Sequence, residues 1–159
     1  MGTPVRRILG IDPGTKRIGF AVSDEIGVAR PLSVWVKKSK TEDLREIRRV
    51  IAEEEITEIY VGVPYKLEGG ESASTLKAKA FLAEVQAEFP ELPVHEQDEA
   101  LTTWEADERL KAEGLGPEAR RKKIDAYAAA VMLQEVLDKR AAQAGAPAPS
   151  APGDDETVE

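Results

Sequence analysis

Residues 8–24 read ILGIDPGTKRIGFAVSD, and the order of chemistry along that stretch decides the fold. Ile8, Leu9 and Ile11 make an apolar run of strand type, Asp12 sets a charge at its end, Pro13-Gly14 supplies a turn, and residues 18–22 resume strand character. Strands joined by so short a link pair antiparallel. A carboxylate closing an apolar strand, followed by the cations Lys16 and Arg17, asks for more than a turn. Gly10, Gly14 and Gly19 around it leave room for another backbone or a phosphate to approach closely.

Outward from this hairpin, residues 27–36 read as a third strand. Leu44, Ile47, Val50 and Ile51 fall at helical spacing within 42–54, and EIYVGVP (58–64) is a strand. Residues 72–88 form a helix with Ser72 as N-cap and Leu76, Ala80, Phe81 and Val85 along one side. LPVHEQ (92–97) is a short strand, and helices follow at 102–113 and 117–140. The order β-β-β-α-β-α-β-α-α predicts an antiparallel meander followed by right-handed helical crossovers to parallel strands. The expected class is α/β: a five-stranded mixed sheet, first strand central, flanked by helices on both faces. The folded domain spans 1–140. Residues 141–159, AAQAGAPAPSAPGDDETVE, lack apolar periodicity and are expected to be a disordered tail.

Composition narrows the function. The 159 residues contain no cysteine, which excludes a disulfide frame and a thiolate metal site. No secretory apolar region opens the chain, and no apolar run reaches the roughly 18 residues of a membrane span. A cytoplasmic protein with no membrane partner is expected. The net charge is −8, but it is unevenly spread: +5 over residues 1–50, −12 over 51–119, +3 over 120–140 and −4 beyond. Polyanion binding follows local potential rather than the total.

The acids carry the chemistry. Asp98-Glu99 precedes LTTWE, in which Thr102 and Glu105 have capping-box spacing, so the pair lies in the turn before a helix. Asp125, in KKIDAYAAAVMLQEVL, heads the helix face of Ala128, Ala129, Met132 and Val136, where a carboxylate needs a partner. Acids from strand 1, strand 5 and the last helix can converge in a sheet of this order. Converging carboxylates call for a cation, and all-oxygen ligands select Mg²⁺ or Mn²⁺. Two such ions about 3.5–4 Å apart would clamp the attacking and leaving oxygens of a phosphodiester. Arg120, Arg121, Lys122 and Lys123 form the densest phosphate-binding segment, with Lys16, Arg17 and Lys66 of PYKLEGGES as further candidates. His95, the sole histidine, reads as structural; Trp35 and Trp104 read as packing residues before they read as base-stacking ones.

LGIDPGTKRIGFAVSD, VGVPYKLEGGES, DEALTTWEADERL and KKIDAYAAAVMLQEVLD, in this order and at these intervals, resemble the YqgF (RuvX) family of the ribonuclease H-like superfamily. The resemblance covers about residues 5–139. It implies an RNase H-like sheet and metal-dependent phosphodiester cleavage, on four-way DNA junctions or the 5′ end of pre-16S rRNA. By motif position Asp12, the Asp98/Glu99 pair and Asp125 correspond to the family's catalytic, metal-binding acids, without deciding which of Asp98 and Glu99 points inward. Ala100 stands where the family usually has Arg. Resolving a junction takes two coordinated cuts, which implies a homodimer if that is the activity. Two other classes stay open. Asp-x-Gly-Thr followed by a hairpin also resembles the phosphate loop of actin-like ATPases and sugar kinases, which pair two such domains where this chain has one. A non-catalytic module binding nucleic acid or a partner on the same fold is the third.

Overall fold

The computed structural model describes residues 6–24, 27–99 and 102–145, with the backbone alone at 102–104. Three strands come first: β1 (Ile8–Pro13), β2 (Arg17–Ser23) and β3 (Ala29–Val36). Helix α1 (Lys40–Glu53), β4 (Glu58–Val63), α2 (Ala73–Glu88), β5 (Val94–Asp98), α3 (Thr102–Ala112) and α4 (Pro117–Gln143) follow. The five-stranded sheet runs β3-β2-β1-β4-β5, so the first strand is central. β1–β2 and β2–β3 are antiparallel, whereas β4 pairs parallel with both β1 and β5. The mixed sheet and its element order agree with the sequence reading.

The two sheet faces are built differently. Leu9 and Ile11 of β1, Ile18, Phe20 and Val22 of β2, and Ile59 and Val61 of β4 form the larger core with Ile47 and Val50 of α1 and Leu82 and Val85 of α2. The alternate residues face α4, and at the centre of that face, at Gly10, Gly19 and Ala21, they are small. A Cβ at Gly10 would lie 3.1 Å from the Leu133 Cβ, and Ala21 packs with Ala129, Ala130 and Leu133. At these small residues α4 approaches the sheet almost backbone to backbone.

Element boundaries shift for local reasons. α1 starts at Lys40 rather than Glu42 because Ser39 is its N-cap, its Oγ accepting the Glu42 N–H at 3.1 Å. Ser72 caps α2 as expected, in a reciprocal box with Thr75. The Thr75 hydroxyl also donates to the Pro64 carbonyl. That anchor turns Thr75, Ala78, Leu82 and Val85 inward and leaves Leu76, expected on the buried side, 57% exposed. α4 continues to Gln143, past Arg140; the tail reading for 146–159 lies outside the described residues.

Candidate active site

β1, β4 and β5 run parallel, so their C-terminal ends share one edge of the sheet. Asp12 ends the apolar part of β1 there, 6% exposed. Its partner across the β1–β2 ladder is Gly19. A Cβ at Gly19 would stand 2.0 Å from the backbone oxygen of Asp125, so α4 touches the sheet at this point and no side chain fits between them. The glycine next to Asp12 therefore admits a helix rather than a phosphate, and that helix delivers the second acid. Asp125 does find the partner that its apolar face requires: its Oδ2 accepts from Arg17 Nε at 2.8 Å.

The third acid is Glu99. Its backbone N–H donates to the Val63 carbonyl at 3.2 Å, extending the β5–β4 pairing one residue past Asp98. Its carboxyl then lies over Gly62 of β4, where a Cβ would meet Oε1 at 1.7 Å. Asp98, one residue earlier, is exposed and does not line the cavity that Asp12, Glu99 and Asp125 share, whose volume is about 480 Å³. Burial pushes Asp12 up to about 6, with Asp125 adding to the rise and a hydrogen bond from Glu99 working against it. Burial pushes Glu99 up to about 10, helped by repulsion from Asp12, its hydrogen bond to Asp12, and repulsion from Asp98 and Asp125. At neutral pH these two acids hold a proton between them.

Two cations that sequence reading missed, Lys37 and Lys77, line the same cavity beside Gly14, Thr15 and Ser74. Lys37 follows β3, and Lys77 lies in the first turns of α2. Neither sits in a recognisable motif, and the only signal was Lys37's place in the run KKSK (37–40). Of the expected phosphate-binding residues, Lys16 is exposed on the turn after β1, its carbonyl accepting from the Lys37 N–H at 2.9 Å. Arg17 is engaged with Asp125, and Lys66 is exposed on the loop after β4. Arg120 is turned away into the α3–α4 junction, donating to Asp107 Oδ1 at 2.8 Å and to the Leu115 carbonyl at 3.0 Å. Arg121, Lys122 and Lys123 are exposed, the two lysines beside the edge strand β3.

His95 lies at the opposite end of the sheet, its Nε2 2.8 Å from Glu58 Oε2, a carboxylate that also accepts from Arg140 at 2.9 Å. The indole of Trp35 donates to Asp43 Oδ1 at 2.8 Å and packs against the larger core. Ala100 and the side chains of Thr102 and Trp104 lie outside the described residues. Among those residues no helix is long and apolar enough to cross a membrane.

Comparison with known proteins points one way. Residues 6–139 match the pattern of the family described as RuvX: Holliday junction resolvase. A protein of Koribacter versatilis (strain Ellin345) named "Putative pre-16S rRNA nuclease" is 43% identical over 135 residues, 84% of this chain and 88% of that protein. One of the same name from Anaeromyxobacter sp. (strain K) is 42% identical over 136 residues, covering 85% and 98%. Among solved structures, the fold is similar to T. thermophilus RuvC in complex with a Holliday junction substrate (TM-score 0.55, 21% identity, 85% of this chain and 95% of that one). It is also similar to the fowlpox virus Holliday junction resolvase (TM-score 0.51, 12% identity, 84% and 99%). With an RNase H-like sheet, carboxylates gathered at its edge and sequence identity over most of its length, the chain belongs to the RuvX family of nucleases.

Proposed function

We propose that this protein is a divalent-metal-dependent endonuclease that hydrolyses phosphodiester bonds in structured nucleic acid, with the 5′ end of pre-16S rRNA as its substrate. The observation that carries the reading is the meeting of Asp12, Glu99 and Asp125, from β1, the end of β5 and α4, in one cavity that Lys37 and Lys77 also line. The names of relatives more than 40% identical, which speak of pre-16S rRNA, support this choice of substrate. The family description keeps a second substrate, the four-way DNA junction, for which the protein would act as a homodimer.

The donor set fits a hard cation. Its donors are all carboxylate oxygens, and burial and mutual repulsion raise two of the acids, a strain that a dication relieves. As they stand, no three His, Cys, Asp or Glu side chains among the described residues are gathered tightly enough to enclose an ion. The reason is visible at Asp125, whose carboxylate is turned to Arg17. Asp12, Glu99 and Asp125 would hold Mg²⁺ or Mn²⁺. When bound, the metal would lower the pKa of the attacking water and stabilise charge on the leaving oxygen.

The chain's own residues do the rest. Glu99 would release its shared proton to solvent and act as a full anion when a cation is held, over a strand that only a glycine at 62 leaves open to it. Arg17 fixes the carboxylate of Asp125 in the cavity wall. Lys37 and Lys77 supply the positive charge that the phosphate needs when it enters among acids. Lys16, Lys66, Arg121, Lys122 and Lys123 contribute backbone contacts farther out.

Side-by-side cleavage of a pre-16S rRNA leader and a four-way DNA junction, with Mg²⁺, with Mn²⁺ and with EDTA, tests the reading. Cleavage of the leader that EDTA abolishes is expected. Binding of both nucleic acids with cleavage of neither, under either metal, would put the non-catalytic module in its place.

A further inference from the structure

A second groove adjoins the carboxylate cavity. It holds about 220 Å³ between the start of α1 and the side of α2, and it shares Lys37 and Phe81 with the first. Lys38 and Lys40 complete its basic wall. Two acids also line it, Asp43 and Glu84, and both are engaged. Asp43 is buried, its Oδ1 accepting from the Trp35 indole at 2.8 Å and the Lys38 N–H at 2.9 Å. Glu84 faces Lys40 at 3.7 Å. Lys37 and Lys38 form no ion pair with any described residue, and the Lys38 ammonium rests over the Trp35 ring, 4.7 Å from its centroid.

The position of this charge is informative. Residues 51–119 carry a net −12, and three carboxylates line the cavity against its two lysines. A phosphate chain reaching that cavity needs an approach of opposite sign, and a groove continuous with it provides one. The loop is also stiff: the Lys37 and Lys38 backbone N–H groups are bonded to the β1–β2 turn and to Asp43, so its cations are presented from a fixed backbone.

We infer that the groove of Lys37, Lys38 and Lys40, passing Phe81, seats the nucleic-acid backbone that flanks the scissile phosphate. The inference rests on the nuclease reading and adds a surface to it: the strand leaves the cavity between α1 and α2. Its contacts are with phosphates, so it carries register and affinity rather than base sequence.

The test measures binding of the full-length protein to the pre-16S rRNA leader and to the four-way junction over a series of salt concentrations, alongside KM for the substrate that is cut. In K38A/K40A the slope of log affinity against log salt should fall by roughly 1.4 on single strands or 1.8 on duplex, two contacts at about 0.7 or 0.9 each. KM should rise several-fold. K38R/K40R should restore both, which a general loss of folding would not allow. K111A/K139A removes the same charge from α3 and the far part of α4 and should keep the wild-type slope. If the wild type binds and cuts while K38A/K40A keeps its slope, or if K111A/K139A flattens the slope equally, the groove is not the seat and the inference fails alone. A wild type that neither binds nor cuts overturns the nuclease reading and this inference together.

Discussion

At Asp12 a carboxylate is buried, held against the Glu99 carboxyl and repelled by Asp125, so in the metal-free protein its ionisation opposes folding. The folded value of about 6 lies above the ordinary 3.8. The folded chain thus keeps a proton that the unfolded chain releases. This contribution to stability is complete below about pH 4 and is lost as pH rises through 6. Asp12→Asn keeps the shape, removes the charge and offers Glu99 an amide donor. We expect no detectable cleavage, nucleic-acid affinity equal to wild type or higher, and metal-free stability raised by about 1–3 kcal/mol at pH 8. At this chain length that is about 2–4 °C in Tm per kcal/mol, read by thermal melting in EDTA at pH 4 and pH 8. The gain should vanish at pH 4. Asp12 was legible in sequence because a charge ends an apolar strand. The choice between Asp98 and Glu99 was not, because neighbouring residues of a strand face opposite ways. Only the hydrogen bond that carries β5 one residue further settles which of them enters the cavity.

The placement of whole elements depends on a few contacts. Gly19→Ala puts a methyl where the Asp125 carbonyl already stands and must push α4 off β2. A loss of roughly 1–3 kcal/mol is expected from the overpacking. Cleavage should fall much further than stability, because the displaced turn carries Asp125; melting and single-turnover rates on one preparation compare the two. Arg120→Ala should do the reverse. It unties α3 from α4 by removing the bonds to Asp107 and the Leu115 carbonyl, for about 1–2 kcal/mol, and should leave the salt dependence of nucleic-acid binding unchanged. A flattened slope in Arg120→Ala would return that residue to the phosphate-binding set. Apolar spacing located α1 and α2 and the buried face of α4, and a capping-box pattern located α3, because these are local properties. Spacing placed Phe81 and Val85 of α2 rightly against the core but also put Leu76 and Ala80 there, which are exposed, because the turn is fixed by Thr75 reaching the Pro64 carbonyl, a contact between segments. Arg120 looked like part of a basic cluster for the same reason: its partner is on another helix.

For the molecule as a whole, the proposed metal and protons would compete for one set of acids. A divalent cation at 100 times its Kd should stabilise the fold by about 2.7 kcal/mol, a rise in Tm of roughly 5–10 °C. The rise should shrink as pH falls through 6 and Asp12 takes up its proton. Melting with Mg²⁺ or Mn²⁺ against EDTA across pH 5–8 measures it, and a metal shift independent of pH would argue against these acids as ligands. The sequence showed the sheet order and the acids, which lie in contiguous motifs. It did not show Lys37 and Lys77, which come from the end of β3 and the start of α2 and meet only when the two sides of the sheet edge close around the cavity. Each alone looks like a solvated surface lysine.

The seating of α4 on Gly19 would also set a time of birth for the proposed activity. Chains emerge from the ribosome with the N-terminal part first. The β1–β2 hairpin with Asp12 is made early, β5 and Glu99 follow, and Asp125 arrives on the last helix. A nascent chain that has not yet laid α4 across the sheet would carry two of the three proposed acids and no complete site. For an enzyme proposed to cut the RNA of ribosomes in assembly, that order would keep it inert at the machine that synthesises it until α4 has emerged and seated on the sheet.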